Sequence, residues 1–194
     1  TANEIPSIVM NAYELYQYQM GLVTPDTLLV AVSQSGSSKE TVELVRKAKE
    51  QNTVVVGIVN HQDSPLAKEA DIPLFIYAGK EKHISNKSYL NTLAVLQIFS
   101  AALVDNLDDS LKNQMYEIAD WAESYLVNMR KNTQPVIDFI SGTKSYDFLG
   151  NGPAMSTAYQ AGLIFREGPP VTASSISCAD FPHGWDLSVT QGYT

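Results

Sequence analysis

Cysteine is nearly absent from this sequence, and so is any long hydrophobic run. The single Cys178 excludes an internal disulfide and suits a reducing, cytoplasmic setting. No apolar stretch comes near the roughly 20 residues needed to cross a bilayer, so no membrane association is expected. The opening TANEIPSIVM has no basic region ahead of an apolar core, so it does not read as a signal peptide. Positive charge is also scarce: 13 Lys and Arg stand against 21 Asp and Glu, a formal net charge of -8. An anionic surface argues against a nucleic-acid partner, whose phosphate backbone requires clustered cations. It does not exclude a small phosphate ligand, which backbone amides and hydroxyls can hold without net charge. Three histidines and one cysteine, widely separated, make no metal-ligand set, and no cofactor is expected.

What is present is an alternation of apolar runs and amphipathic stretches. Apolar residues make up 44% of the 194 positions, enough for a sizeable core in one large domain or parts of two. The Tyr-rich segment Ile5 to Met20 reads as a helix, followed by a turn at Thr24-Pro25-Asp26. Leu28 to Val32 (LLVAV) and Val54 to Val59 (VVVGIV) read as strands buried on both faces. Between them, Val42, Val45 and Ala48 fall on one stripe of a helix from Lys39 to Gln51. Asn60 to Ser64 is a loop, with His61 exposed and without a role. Pro65 to Ala70 is a short helix and Pro73 to Tyr77 a third strand. Strand, helix, strand in that order predicts a parallel sheet within an α/β three-layer sandwich.

The middle of the chain is helical. Asn86 to Val104 is apolar all round and predicts a buried helix. Asp108 can cap the next helix, whose stripe of Leu111, Met115, Ile118, Ala122, Tyr125 and Met129 is core or interface. A shorter helix is expected after Thr133-Gln134-Pro135, ending near Gly142. The alternation then restarts: a strand at Tyr146 to Gly150, a turn at Asn151-Gly152-Pro153, a helix from Met155 to Glu167 and a strand at Val171 to Ile176. Residues 1–144 thus read as a first α/β unit with a helical extension, and 145–194 as the start of a second. The first lacks an opening strand and the second stops after about two strands, short of a closed doubly wound sheet. Both ends read as incomplete, which predicts a longer native protein.

The candidate ligand site is the turn Ser33-Gln34-Ser35-Gly36-Ser37-Ser38. It lies between a strand and a helix, where open α/β sheets bind ligands. Gly36 permits a tight turn and a close backbone approach. Amides at the start of the following helix, at the positive end of its dipole, favour an anion. Four hydroxyls and one side-chain amide add donors. It is not a Walker loop, which would end in Gly-Lys-Ser/Thr. Read without reference to any family, Ser and Gly here equally describe an ordinary turn with a helix cap.

LLVAVSQSGSSKETVELVRKAKEQ, then VVVGIVNHQDSPLAKEAD, and further on His83-Ile84-Ser85-Asn86-Lys87, resemble the sugar isomerase (SIS) domain family. Within it the chain looks most like the isomerase part of glucosamine-6-phosphate synthase and stand-alone phosphosugar isomerase and deaminase relatives. The resemblance covers nearly the whole chain. It implies a sugar phosphate held by Ser33, Gln34, Ser35 and Ser38, with Gly36 and Ser37 contributing backbone and Ser85 close to the sugar. It also implies a catalytic pair. Glu167 and a His-Gly at His183-Gly184 match the family's spacing, sixteen residues apart. Glu167 would be the base that moves a proton between sugar carbons, and His183 would assist ring opening. One position departs from the pattern: Ile164 stands three residues before the Glu, where the synthase has Lys. Arg166 does not replace it.

The resemblance further implies a homodimer or higher homo-oligomer, in which the His serves a neighbouring subunit's site. The glutaminase half of the synthase is missing from this stretch, and Cys178 lies in the wrong place to replace its nucleophile, so no glutaminase activity is expected. The implied function is an enzyme acting on a hexose- or amino-sugar-6-phosphate by ring opening and proton transfer, either an isomerase or a deaminase or deglycase. The alternative is a non-catalytic phosphosugar sensor, which needs only the turn.

Overall fold

The computed structural model describes residues 5–82 and 84–190; His83, in the segment quoted above, lies outside the described residues. The chain forms two compact units, Thr1–Asn113 and Gln114–Thr194.

The first unit is built on three parallel strands, β1 (Leu28–Ser33), β2 (Val54–Val59) and β3 (Ile72–Phe75), in the order β1-β2-β3. Register pairs Leu28 with Val54 through Ser33 with Val59, and Val56 with Ile72 through Val59 with Phe75. In-phase parallel strands bring all three carboxyl ends to one rim. Before the sheet comes α1 (Ala12–Tyr18), capped by Asn11 Oδ1 accepting from the Tyr13 N–H at 2.9 Å. The helix expected from Ile5 starts only here, where Asn11 supplies the cap. The next elements are α2 (Lys39–Glu50), between β1 and β2, and α3 (Pro65–Glu69), between β2 and β3.

Alternation along the strands sorts the core into two layers. Leu29, Ala31, Val55 and Val59 pack with Leu44, Val45 and Ala48 of α2 and with Leu66 and Ala67 of α3. Gly57 faces the same way, and a Cβ there would lie 2.8 Å from Ala70 Cβ, so its missing side chain lets α3 lie flat on the sheet. On the opposite face, Val56, Ile58, Ile76 and Ala78 pack with Val95, Leu96 and Phe99 of α4 (Lys87–Ala102). This is the expected α/β three-layer arrangement.

Charge pins the edge of the α2–α3 layer. Lys49 Nζ lies 3.0 Å from Asp71 Oδ1, and Asp71 Oδ2 accepts the Val55 N–H at 2.9 Å. That amide, then Lys49, holds the Asp71 carboxyl below the usual carboxylate range.

Three further expectations fail in this unit. β2 is buried on both faces from Val55 to Val59, but Leu28 and Val32 of β1 are 40% and 45% exposed, because β1 is the edge of this sheet and α4 packs over its neighbours. The α4 helix forms but is not buried: only Ser88 and Ala101 are. An all-apolar surface can meet one sheet on one side only, and Leu90 on the far side is 63% exposed. β3 ends at Phe75, before Tyr77, whose φ of 48° leaves the extended region.

The second unit holds α5 (Asp109–Val127), which crosses the division, α6 (Met129–Ile140), β4 (Ser145–Gly150), α7 (Ala154–Glu167) and β5 (Thr172–Ser177). Asp108 Oδ1 accepts the Leu111 N–H at 2.8 Å, as a cap should. α6 starts six residues ahead of Pro135 and carries that proline inside, rather than beginning after it. Thr133 Oγ donates to the Met129 carbonyl at 2.8 Å within this turn. β4 and β5 are parallel, in register from Ser145–Thr172 to Gly150–Ser177. Phe165 of α7 meets Tyr146 and Phe148 edge-on.

Leu66 is fully buried at the junction of α2, α3 and the sheet. Leu66→Ala is expected to lower stability by about 2–5 kcal/mol in denaturant titration. A loss below about 1 kcal/mol would show that this layer is not the core of the unit.

Candidate functional site

The Ser33–Ser38 turn leaves the carboxyl end of β1, next to the loop that follows β2. Two backbone hydrogen bonds fasten it there: the Asn60 N–H donates to the Gln34 carbonyl at 3.1 Å, and the Leu66 N–H to the Gly36 carbonyl at 2.9 Å. Gly36 has φ of +64°, and a Cβ would fall 2.2 Å from Ser64 Oγ and 2.5 Å from Val59 Cγ2. Glycine is required on both counts. Ser64, buried at the start of α3, therefore helps to define the site, with its Oγ accepting the Ala67 N–H at 3.3 Å. Sequence reasoning missed it. Its one signal is the Ser-Pro pair, a cap followed by proline at the first helical position.

Within the turn the hydroxyls divide their work. Ser33 is buried, and its Oγ accepts the Gly36 N–H at 3.2 Å and lies 3.1 Å from Ser38 Oγ. Ser35 Oγ accepts the Ser37 N–H at 3.2 Å, and Ser37 Oγ donates to the Ser35 carbonyl at 3.4 Å. Ser35, Ser37 and Ser38 are exposed and Gln34 is half-buried. Ser33 thus organises the turn from below while the others reach solvent. Ser38 is the capping residue of α2, yet its side chain makes no capping bond to that helix. The first amides of α2, which have no carbonyl one turn earlier, therefore remain available to an anion at the positive end of the dipole. Of the turn's two sequence readings, the helix cap by Ser38 does not form.

Ser85 sits half-buried in the loop between β3 and α4. On that loop Glu81 accepts from the N–H groups of Asn86 and Ser88 at 2.9 and 3.0 Å and from Ser88 Oγ at 2.5 Å. Burial pushes its carboxyl up, but these hydrogen bonds outweigh that and hold it below its ordinary value. The N-terminus of α4 is thus already occupied by a carboxylate.

Glu167 and His183 both belong to the second unit, at opposite ends of its sheet. α7 runs antiparallel to β5. Arg166 Nη1 donates to the Ala173 carbonyl at 2.9 Å, Ser175 Oγ to the Ala158 carbonyl at 2.8 Å, and Ser177 Oγ to Asn151 Oδ1 at 3.1 Å. Glu167, the exposed last residue of α7, therefore lies at the start of β5. His183 lies beyond its end, in turns fixed by the Phe181 N–H on the Ser177 carbonyl and the His183 N–H on the Asp180 carbonyl. The length of a six-residue strand, about 20 Å, separates the two ends. Ile164 occupies the α7 position noted above, and the Arg166 guanidinium is committed to β5.

The SIS domain family model matches residues 1–103. The glutamine–fructose-6-phosphate aminotransferase (isomerizing) of Corynebacterium glutamicum is 30% identical over 199 residues, covering 97% of this chain and 31% of that protein. Its Thermotoga maritima counterpart is 26% identical, covering 87% of this chain and 29% of that protein. The chain therefore spans less than a third of the length of either relative. Among solved structures, the C-terminal domain of glucosamine-fructose-6-phosphate aminotransferase from Francisella tularensis has a TM-score of 0.83 at 24% identity, over 98% of this chain and 56% of that one. Tagatose-6-phosphate ketose/aldose isomerase from Escherichia coli has a TM-score of 0.72 at 18% identity, over 94% and 51%. These likenesses establish the fold.

Gly36→Ala tests the turn directly. The left-handed backbone alone costs a side chain about 1–3 kcal/mol, and the overlap with Ser64 adds to it. Titration calorimetry with inorganic phosphate is expected to show affinity reduced at least about tenfold. Wild-type affinity in that variant would remove the turn as the anion site.

Proposed function

The chain belongs to the SIS domain family, and on that footing we propose that it is part of an enzyme acting on a hexose- or amino-sugar-6-phosphate. The observation that carries this reading is the Ser33–Ser38 turn, folded against Ser64 and opening α2 without a side-chain cap from Ser38. The phosphate binds at this turn, through Ser33, Gln34, Ser35 and Ser38, with Gly36 and Ser37 contributing backbone and the first amides of α2 adding donors. Ser85 contacts the sugar. Fixing the phosphate holds the far carbons of the open chain at a set distance, which removes part of the entropic barrier. Glu167 then takes the proton from the carbon next to the carbonyl, a step that needs a positioned base because such C–H groups are weakly acidic.

His183 assists ring opening, and it does so in a neighbouring subunit's site. The opposite placement of Glu167 and His183 on the two-stranded sheet supports this division, since one copy does not present both from the same end. The exposed apolar surface supports a homo-oligomer: Ile118 and Trp121 of α5 and Phe139 of α6 are 61%, 65% and 82% exposed, and closed symmetry is the common way to cover such faces. A division near Ser145 into two SIS units, and a cytoplasmic location, belong to the same reading. Ile164 in place of the synthase's Lys favours a deaminase or deglycase over an aldose–ketose isomerase. All begin with the same proton transfer.

The test uses the full-length protein with fructose 6-phosphate in deuterated water. Glu167→Gln is expected to retain binding within about twofold while solvent exchange at the carbon next to the carbonyl falls about 10²–10⁴-fold. Exchange at the wild-type rate would show that Glu167 is not the base. Mixing the Glu167→Gln and His183→Ala proteins tests the shared site. If base and ring-opening group come from different copies, a mixed dimer regains activity in one of its two sites. If both come from one copy, mixing regains none.

A further inference from the structure

We infer that Asn60 and Glu81 are positioning residues that join the phosphate turn and the β3–α4 loop into one hydrogen-bonded frame. The frame sets where the sugar lies relative to its anchored phosphate. This inference rests on the phosphosugar reading above.

Asn60 is the first residue after β2, the central strand, and it bridges the loops that follow all three strands. Its N–H donates to the Gln34 carbonyl at 3.1 Å, inside the turn after β1. Its side chain points the other way. Oδ1 accepts the Ala78 N–H at 2.9 Å and Nδ2 donates to the Gly79 carbonyl at 2.8 Å, in the segment after β3. One donor and one acceptor on a short stem are needed for this pair of bonds, and among side chains of this length only asparagine has both in a planar amide. Aspartate would set an oxygen against the Gly79 carbonyl.

The second link starts two residues on. Glu81 holds the Asn86 and Ser88 N–H groups and the Ser88 hydroxyl. Lys87 Nζ donates back to the Lys80 carbonyl at 2.9 Å, and Asn86 Oδ1 accepts the Lys87 N–H at 2.6 Å. The loop from Glu81 to Asn86 is therefore closed at its base, and Ser85 rides on it. Residues 78–81 are tied to the phosphate turn through Asn60 on one side and to the start of α4 through Glu81 on the other. The same arrangement separates the two helix N-termini. A protein carboxylate fills that of α4, whereas the hydroxyl of the capping residue of α2 lies 3.1 Å from Ser33 Oγ and makes no capping bond. An incoming phosphate is directed to α2.

A framed loop and a loose one differ in what they do to each part of the ligand. The turn keeps its own fastenings, Asn60 N–H to Gln34 and Leu66 N–H to Gly36, whatever side chain stands at position 60. Phosphate alone should not sense the loss of the frame. A sugar phosphate should, because ordering a loose loop is charged against its binding.

The experiment measures inorganic phosphate and fructose 6-phosphate by titration calorimetry on the full-length protein, as wild type, Asn60→Ala, Glu81→Ala and Glu81→Gln, with thermal melts to verify folding. Both alanine variants are expected to bind fructose 6-phosphate about tenfold more weakly while phosphate affinity stays within about twofold. Glu81→Gln keeps an oxygen acceptor for both N–H groups, removes the charge and turns an amide N–H toward the Ser88 hydroxyl, which can accept from it; this variant is expected to bind fructose 6-phosphate within about threefold of wild type. If Asn60→Ala does not fold, the Glu81 pair carries the same comparison. Equal losses for both ligands, unchanged fructose 6-phosphate affinity in the folded alanine variants, or a Glu81→Gln protein as weak as Glu81→Ala would each overturn the inference. A wild-type protein that binds neither ligand would overturn the phosphosugar reading and this inference with it.

Discussion

The close approach of Gly36 to Ser64 is the constraint on which the candidate site depends. Two consecutive strands end at the same height because Ser33 pairs with Val59. The turn after the first must then fold over the loop after the second, with no room for a Cβ between them. Left-handed backbone at Gly36 reverses the chain, the Leu66 N–H takes the Gly36 carbonyl, and the start of α3 becomes the floor of the turn. Ser33, turned inward, ties the two ends of the turn together through Ser38. The polar segment is thereby fastened by two backbone hydrogen bonds beside a sheet whose central strand is buried from Val55 to Val59. Rigid mounting matters for a candidate anion site built from amides and hydroxyls, because such donors are individually weak and must converge.

Much of this was legible in the residues, for a definite reason. Val54 to Val59 carries its own boundary signals, an apolar run between polar turns, and the Ser33–Ser38 turn is recognisable from a strand before it and a helix stripe after it. These are local properties. The failures at β1 and α4 are questions of what packs where. The apolar stretch that became α4 announces a helix but not how many of its faces find a neighbour. Leu28 and Val32 read as buried because the sequence cannot say that β1 is an edge. Pro135 looked like a start, yet six helical residues precede it. Within the site, the serines and Gly36 could be picked out by type. Asn60 and Glu81 could not, since their partners Ala78, Gly79, Asn86 and Ser88 come together only through strand register and loop closure. A weak sign existed in each: an asparagine ending an apolar run, and a glutamate shortly ahead of a helix.

In the second unit, the same βαβ geometry that makes a compact pair of strands also separates its two titratable candidates. A crossover helix must begin where one strand ends and finish where the next begins. A residue at the end of α7 and a residue after β5 are therefore driven to opposite ends, however near they stand in sequence. Spacing in a motif records chain distance, and in a βαβ unit sixteen residues span the whole height of the sheet. Reading the pair as one subunit's acid and base would mistake chain proximity for proximity in space.

The fastenings of the Ser33–Ser38 turn have a consequence for how such a protein changes over generations. Nearly all of them use main-chain groups: the Gly36 and Leu66 N–H groups and the Gln34 and Gly36 carbonyls. The exposed side chains of Ser35 and Ser37 bond only to each other's backbone. Mutational drift at these outward positions alters what the turn presents to a ligand without altering the path the chain follows. The conformation is inherited through glycine and register, and the chemical lining is open to selection. A scaffold divided in this way can change the chemistry it presents by point substitution, with its foldability left intact.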